Sequence, residues 1–231
     1  YYSVSSFGSQ RSAIGLATNR TLDPANPEYR WEDHGPVIRS LPGVSTHNAI
    51  DPNVALDGNG EPWLNWGSFW GGIKMRRVDA ATGLLSDADT TLYSLAARRG
   101  TEAHMGPDND QSVEAPFIVR RGDYYYLFAS YDMCCRGVRS TYNIRVGRSE
   151  NITGPYVDER GESMTRGGGD VVLASSGIWF CGDYEGSDTF TFFQDITAKT
   201  TVVSGQGWLG RIFAGKVPAW SMNVLEEPEF L

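Results

Sequence analysis

The feature that most restricts this chain is the brevity of its apolar segments. Each runs for four to eight residues, alternates inward and outward side chains, and ends at a turn of Gly, Asp, Asn or Ser. Tyr1–Phe7 and Ser12–Ala17 alternate around Gly8-Ser9. Pro62–Trp66 and Gly71–Val78 do so around a glycine-rich turn, and Ala115–Arg120 and Tyr124–Tyr131 around Arg121-Gly122-Asp123. Tyr142–Ser149, Asp170–Ala174, Thr189–Phe193 and Trp208–Phe213 continue the series. A two-residue period is the mark of half-buried strands. No segment sustains a 3.6-residue period. Leu92–Arg98 is the best helix candidate, at about two turns. The expectation is an all-β fold: a sandwich, a barrel or a propeller.

Spacing favours the propeller. The strand–turn–strand unit that opens near Asn48 recurs near Val113, and a weaker copy opens near Gly177. A period of roughly 60 residues suits a four-stranded blade with long loops. In that architecture the innermost strand of each blade presents its residues to one central channel. The 231 residues are read as a single propeller domain over 1–231.

Charge and composition narrow the partners. A net charge of −8 argues against nucleic acid, whose phosphates need clustered Lys and Arg. No apolar run approaches the roughly 20 residues of a membrane-spanning helix. Aromatics reach 12% of the chain, with 7 Trp and 11 Tyr, which serves sheet packing and also stacking on sugar rings. Cys134, Cys135 and Cys181 form no disulfide framework and fit no zinc spacing; the adjacent pair reads equally as a strained disulfide or as two thiols. Asn19-Arg20-Thr21 and Asn151-Ile152-Thr153 are glycosylation sequons, which a secreted eukaryotic protein would carry. Tyr1-Tyr2 shows no leader and reads as mid-strand, so the chain is expected to be incomplete at its N-terminus.

Two carboxylates stand at equivalent places. Asp51, in His47-Asn48-Ala49-Ile50-Asp51-Pro52-Asn53, precedes Val54-Ala55-Leu56; Glu114, in Ser112-Val113-Glu114-Ala115-Pro116, opens the strand Phe117-Ile118-Val119. Alone, an Asp before Pro is a turn residue and a Glu beside Pro is structural. As a pair at matching places in two blades, both would face one channel. Glycoside hydrolysis needs such a pair, one carboxyl to protonate the leaving oxygen and another to serve the opposite side. Between them lies Trp63-Leu64-Asn65-Trp66-Gly67-Ser68-Phe69-Trp70-Gly71-Gly72. Its glycines permit close backbone approach, and Trp66, Phe69 and Trp70 offer flat apolar faces. Asn65 and Ser68 suit hydrogen bonds to sugar hydroxyls.

Asn48–Pro52, Trp66–Gly72, Val113–Pro116, and Ser140-Thr141-Tyr142-Asn143-Ile144 through Gly147-Arg148-Ser149, with Ile152-Thr153-Gly154-Pro155-Tyr156, resemble family 43 glycoside hydrolases. Within that family the likeness runs to the endo-1,5-α-L-arabinanases, over about residues 1–180; Tyr1–Thr18 is similar to an outer part of their second blade. The resemblance implies a five-bladed propeller, its first blade largely absent here, that hydrolyses arabinan with inversion. Glu114 matches the family's general acid, and Asp51 the Asp that tunes that acid and orients substrate. Asn48, Ala49, Ile50, Ser68, Phe69 and Trp70 match positions that line the sugar site, with Gly8, or Phe7 beside it, lining it from the preceding blade.

The resemblance further implies secretion, action as a monomer on arabinan or arabino-oligosaccharide, and no cofactor for the chemistry. Two departures accompany it. The family's general base, an Asp in the first blade, has no counterpart by motif. The family often holds a structural calcium ion through a His in Gly-Pro-Gly-His, whereas Gly177-Ile178-Trp179-Phe180 here passes to Cys181-Gly182-Asp183-Tyr184. The tail from about Phe193 also drifts from the family pattern. The expectation is an arabinan hydrolase with impaired turnover. The other readings are a carbohydrate-binding propeller without catalysis and a family member acting on xylan or arabinoxylan.

Overall fold

A computed structural model of the chain describes residues 1–99, 111–136 and 139–174. Eleven strands form three antiparallel meanders. The first sheet holds β1 (Tyr2–Ser5), β2 (Ser12–Thr18) and β3 (Glu32–Ser40). The second holds β4 (Asn53–Leu56), β5 (Pro62–Trp66), β6 (Ile73–Arg77) and β7 (Tyr93–Ala96), in that order. The third holds β8 (Val113–Arg121), β9 (Tyr124–Tyr131), β10 (Asn143–Ser149) and β11 (Asp170–Ala174). The sequence units at Asn48 and Val113 are thus two whole blades, with β4 and β8 at matching edges. In the first sheet β1 runs in the sense of β5 and β9, and β2 in that of β6 and β10. The place that β4 and β8 hold in their sheets is filled there by no described strand.

Strand alternation distributes the core. Trp63 of β5, with Ile73 and Met75 of its own blade, packs with Leu127, Tyr131 and Tyr156 of the third in the larger apolar cluster. Leu64 and Trp66, one position on, turn to the first sheet and pack with Ile14, Ala49 and Val78. A period of two therefore lets one strand seal two blade interfaces.

Two strands depart from the sequence expectation. Leu92–Arg98 supplies β7 rather than a helical turn: its Leu and Ala favour helix, but pairing with β6 at Met75↔Tyr93 and Ile73↔Ala96 overrides that weak preference. β3 was not anticipated because Gly35 and Pro36 interrupt it. The sheet absorbs them through register shifts around Gly15. The segments Thr189–Phe193 and Trp208–Phe213, the unit near Gly177, Cys181 and the tail lie outside the described residues.

Leu127 is fully buried in the larger cluster. Leu127→Ala should cost about 2–5 kcal/mol through lost burial and the cavity left behind. Val119→Thr, at a position 41% exposed, should stay within about 0.5 kcal/mol. Urea midpoints of the two variants check the difference, and equal midpoints would place Leu127 outside the core.

Candidate active site

The entries to β4 and β8 are brought together by the loop between β5 and β6. Within this loop Gly67 N–H donates to Ile50 O at 2.9 Å, Phe69 N–H to Val113 O at 2.9 Å, and Gly71 N–H to Thr46 O at 3.0 Å. Ser68 forms an antiparallel bridge with Glu114. One six-residue loop thus binds both carboxylate segments. Its glycines are required: Gly67 and Gly72 have φ of 137° and 78°, and a Cβ on Gly72 would stand 2.1 Å from Ala96 O.

Glu114 is gripped on both oxygens. Ser68 Oγ donates to Oε2 at 2.9 Å and Tyr142 OH donates to Oε1 at 2.8 Å. Burial, and then the Glu114 charge, raise the phenol of Tyr142 above its ordinary pKa, so it remains a donor. Asp51 stands beside Glu114. Its N–H donates to Ser3 Oγ of β1 at 3.2 Å, and its Oδ2 accepts from Ala115 N–H at 3.2 Å. Burial, with the Glu114 charge adding to it, pushes the Asp51 carboxyl up to about 6, while the Ala115 N–H pulls the other way.

In front of Glu114 opens a cleft of about 590 Å³. Asn48, Ile50, Ser68, Phe69 and Trp70 line it from the second blade, and Phe7 and Gly8 from the turn after β1. Asn48 is itself fixed from beneath, its Oδ1 accepting from Ser12 Oγ at 2.7 Å. Asp51 stands at the Glu114 side of this cleft, its carboxyl accepting from the N–H of the next residue, Ala115. All six non-glycine residues with positive φ among the described residues lie here: Asp51, Phe69, Trp70, Ala115, Asp132 and Cys135, at 44–68°. Strained backbone of this kind collects at ligand sites.

Three sequence assignments are corrected. Ala49 is fully buried and packs with Ile14, Leu64 and Trp66, so it does not line the cleft. Trp66 belongs to the same cluster and offers no face to a ligand. Asn65 is also fully buried, and its amide donates to Asn53 O and Asn53 Oδ1, both at 3.0 Å.

The third blade adds a wall that motif reading missed: Asp132, Met133, Cys134, Cys135 and Arg136. Asp132 pairs with Arg98 at 2.8 Å and accepts from Asn143 Nδ2 at 2.7 Å. Tyr142 was visible within a motif but not as a partner of Glu114. Among the described residues no three His, Cys, Asp or Glu side chains gather as a metal site, and the segment after Gly177 is not among them.

Residues 1–184 match the family described as glycosyl hydrolases family 43. The chain belongs to that family. Over 181 residues it is 46% identical to an extracellular exo-α-(1→5)-L-arabinofuranosidase of Cellvibrio japonicus, covering 78% of this chain and 52% of that protein. Over 179 residues it is 46% identical to an extracellular endo-α-(1→5)-L-arabinanase of Bacillus subtilis, covering 78% and 50%. The structure of Cellvibrio cellulosa α-L-arabinanase complexed with arabinohexaose superposes with a TM-score of 0.69 at 44% identity, over 75% of this chain and 55% of that one. The chain spans about half the length of the curated relatives it matches. Its fold is the five-bladed family 43 propeller, of which the described residues make two whole blades and three strands of another.

The raised Asp51 carboxyl gives a test. A carboxyl whose pKa rises on folding, here from 3.8 to about 6, binds its proton more tightly in the native state. The stability it lends is complete below pH 3.8 and is lost as pH rises through about 6. Asp51→Asn removes this titration and keeps a side chain that tolerates positive φ. The melting temperature of the variant relative to the parent should therefore climb between about pH 4 and pH 6 and level off above. Parallel curves would remove Asp51 from its buried setting.

Proposed function

We propose that the cleft cleaves α-1,5-linked arabinofuranosyl chains, with Glu114 as the proton donor to the leaving oxygen and Asp51 as the group that orients substrate and biases the acid. The observation that carries this reading is the two-sided grip of Ser68 and Tyr142 on Glu114 at the floor of the cleft. Both partners are hydroxyls, able to donate or accept, so they hold the carboxyl plane whether or not it carries its proton. Phe69 and Trp70 supply apolar faces for sugar rings, as carbohydrate sites use them. The substrate class is supported by the names of two relatives, an exo-α-(1→5)-L-arabinofuranosidase and an endo-α-(1→5)-L-arabinanase, and by the one α-L-arabinanase structure complexed with arabinohexaose. Two relatives named as extracellular support secretion.

Inverting hydrolysis places a second carboxylate roughly 6.5–9.5 Å from the acid, with water beside it. Among the described residues the cleft offers Asp132 as its other carboxylate, and Arg98 and Asn143 already engage it. The described residues are therefore proposed to bind the sugar and present the acid, with Asp132 held by Arg98 and Asn143 as part of the cleft wall.

Calorimetry with arabinohexaose and xylohexaose, paired with assay on debranched arabinan, tests both halves. Arabinohexaose should bind, xylohexaose should bind more weakly, and Glu114→Gln should lower any hydrolysis by about 10²–10⁴-fold, the worth of one acid–base group. Glu114→Gln should preserve binding. Failure to bind arabinohexaose would end the sugar reading, and unchanged hydrolysis by Glu114→Gln would end the assignment of the acid.

A further inference from the structure

The two sequons occupy different environments, and the difference separates them as modification sites. Asn19 follows β2 and works as a staple. Its Oδ1 accepts from Arg30 N–H at 3.0 Å and Thr21 N–H at 3.4 Å. Its Nδ2, the atom that would carry a glycan, is buried without a hydrogen-bond partner. A sugar on that nitrogen could be accommodated only by withdrawing the side chain from the turn it closes.

Asn151 is arranged in the opposite way. Its backbone is fixed: its N–H donates to Ser149 Oγ at 3.1 Å and its carbonyl accepts from Gly154 N–H at 3.0 Å. The next residue, Ile152, is buried in the larger core cluster, and its carbonyl accepts from Tyr156 OH at 2.8 Å. The side chain of Asn151 itself is exposed. The turn is held from inside while the amide faces solvent.

The topology also places this amide away from the cleft. Asn143, at the start of β10, follows Tyr142, which holds Glu114. The strand then runs outward to Ser149, roughly 20 Å at the usual rise. Asn151 lies beyond that outer end.

We propose that Asn151 is an N-linked glycan acceptor on the face opposite the cleft, and that Asn19 is not one in the folded protein. In a glycosylating secretory pathway, Asn151 Nδ2 attacks C1 of the first sugar of a lipid pyrophosphate-linked oligosaccharide. The C–N bond forms, the bond from C1 to the pyrophosphate oxygen breaks, the lipid pyrophosphate departs, and the amide gives up one proton. The inference is independent of the chemistry assigned to Glu114.

The test expresses the full chain behind a secretion leader in yeast. The fraction that resists limited proteolysis is collected from medium or lysate. Peptide-N-glycosidase in heavy-oxygen water then marks each occupied Asn. Asn151 should be marked and Asn19 unmarked. Thr153→Ala should abolish the glycan, and Thr21→Ala, which keeps Asn19 in place, should leave it unchanged. An occupied Asn19 in the resistant fraction, or an empty Asn151, overturns the assignment. Arabinohexaose affinity before and after deglycosylation should be equal; a change would overturn the placement of the glycan on the far face.

Discussion

The structure depends on the loop from Gly67 to Gly72 being stitched to two blades at once. Its N–H groups reach Ile50, Val113 and Thr46, and Ser68 bridges to Glu114. Buried backbone donors must find acceptors, and here those acceptors are the carbonyls flanking Asn48–Asp51 and Glu114. Satisfying the loop therefore sets the relation between the two carboxylates. The geometry that chemistry needs is a consequence of hydrogen bonds the fold needs in any case.

That constraint explains the conformation of the site. To reach both sides, the loop turns through left-handed backbone at Phe69 and Trp70, and the strand entries do the same at Asp51 and Ala115. A non-glycine residue in this region costs of order 1–3 kcal/mol and persists only where its surroundings over-determine it. Each of the four has such surroundings. Phe69 is bonded to Val113, Ala115 to Asp51, Asp51 to Ser3, and Trp70 is packed to 6% exposure. The strain turns Phe69 and Trp70 into the cleft instead of along the sheet, so the aromatic faces and the acid meet.

How much of this was legible in the sequence follows from the range of each interaction. The alternation in β5 and the polar turn between β8 and β9 are local, and both strand pairs were visible with close bounds. The equivalence of Asp51 and Glu114 was also visible, because a repeat copies position as well as pattern. Ala49, Asn65 and Trp66 were misread for one reason. Motif adjacency does not say that neighbouring blades and loops cover both faces of a segment, as they do along β5 from Trp63 to Trp66. β3 and β7 were hidden because a Pro and a Leu–Ala run lose locally and win through pairing.

Tyr142 shows where reading of this kind ends. It lies 28 residues from Glu114, and nothing between them marks a contact. The contact follows from a meander: β8 leaves the cleft, β9 returns to Ser130, opposite Glu114, and β10 departs again, beginning just after Tyr142. Once two turns fix that path, the residue before β10 must stand beside the residue at the start of β8. Asp132 reaches the same wall by the same route, immediately after β9. Sequence supplies the strand lengths and the turns, but the site residues contributed by a blade's later strands become visible only when those lengths are folded back on one another.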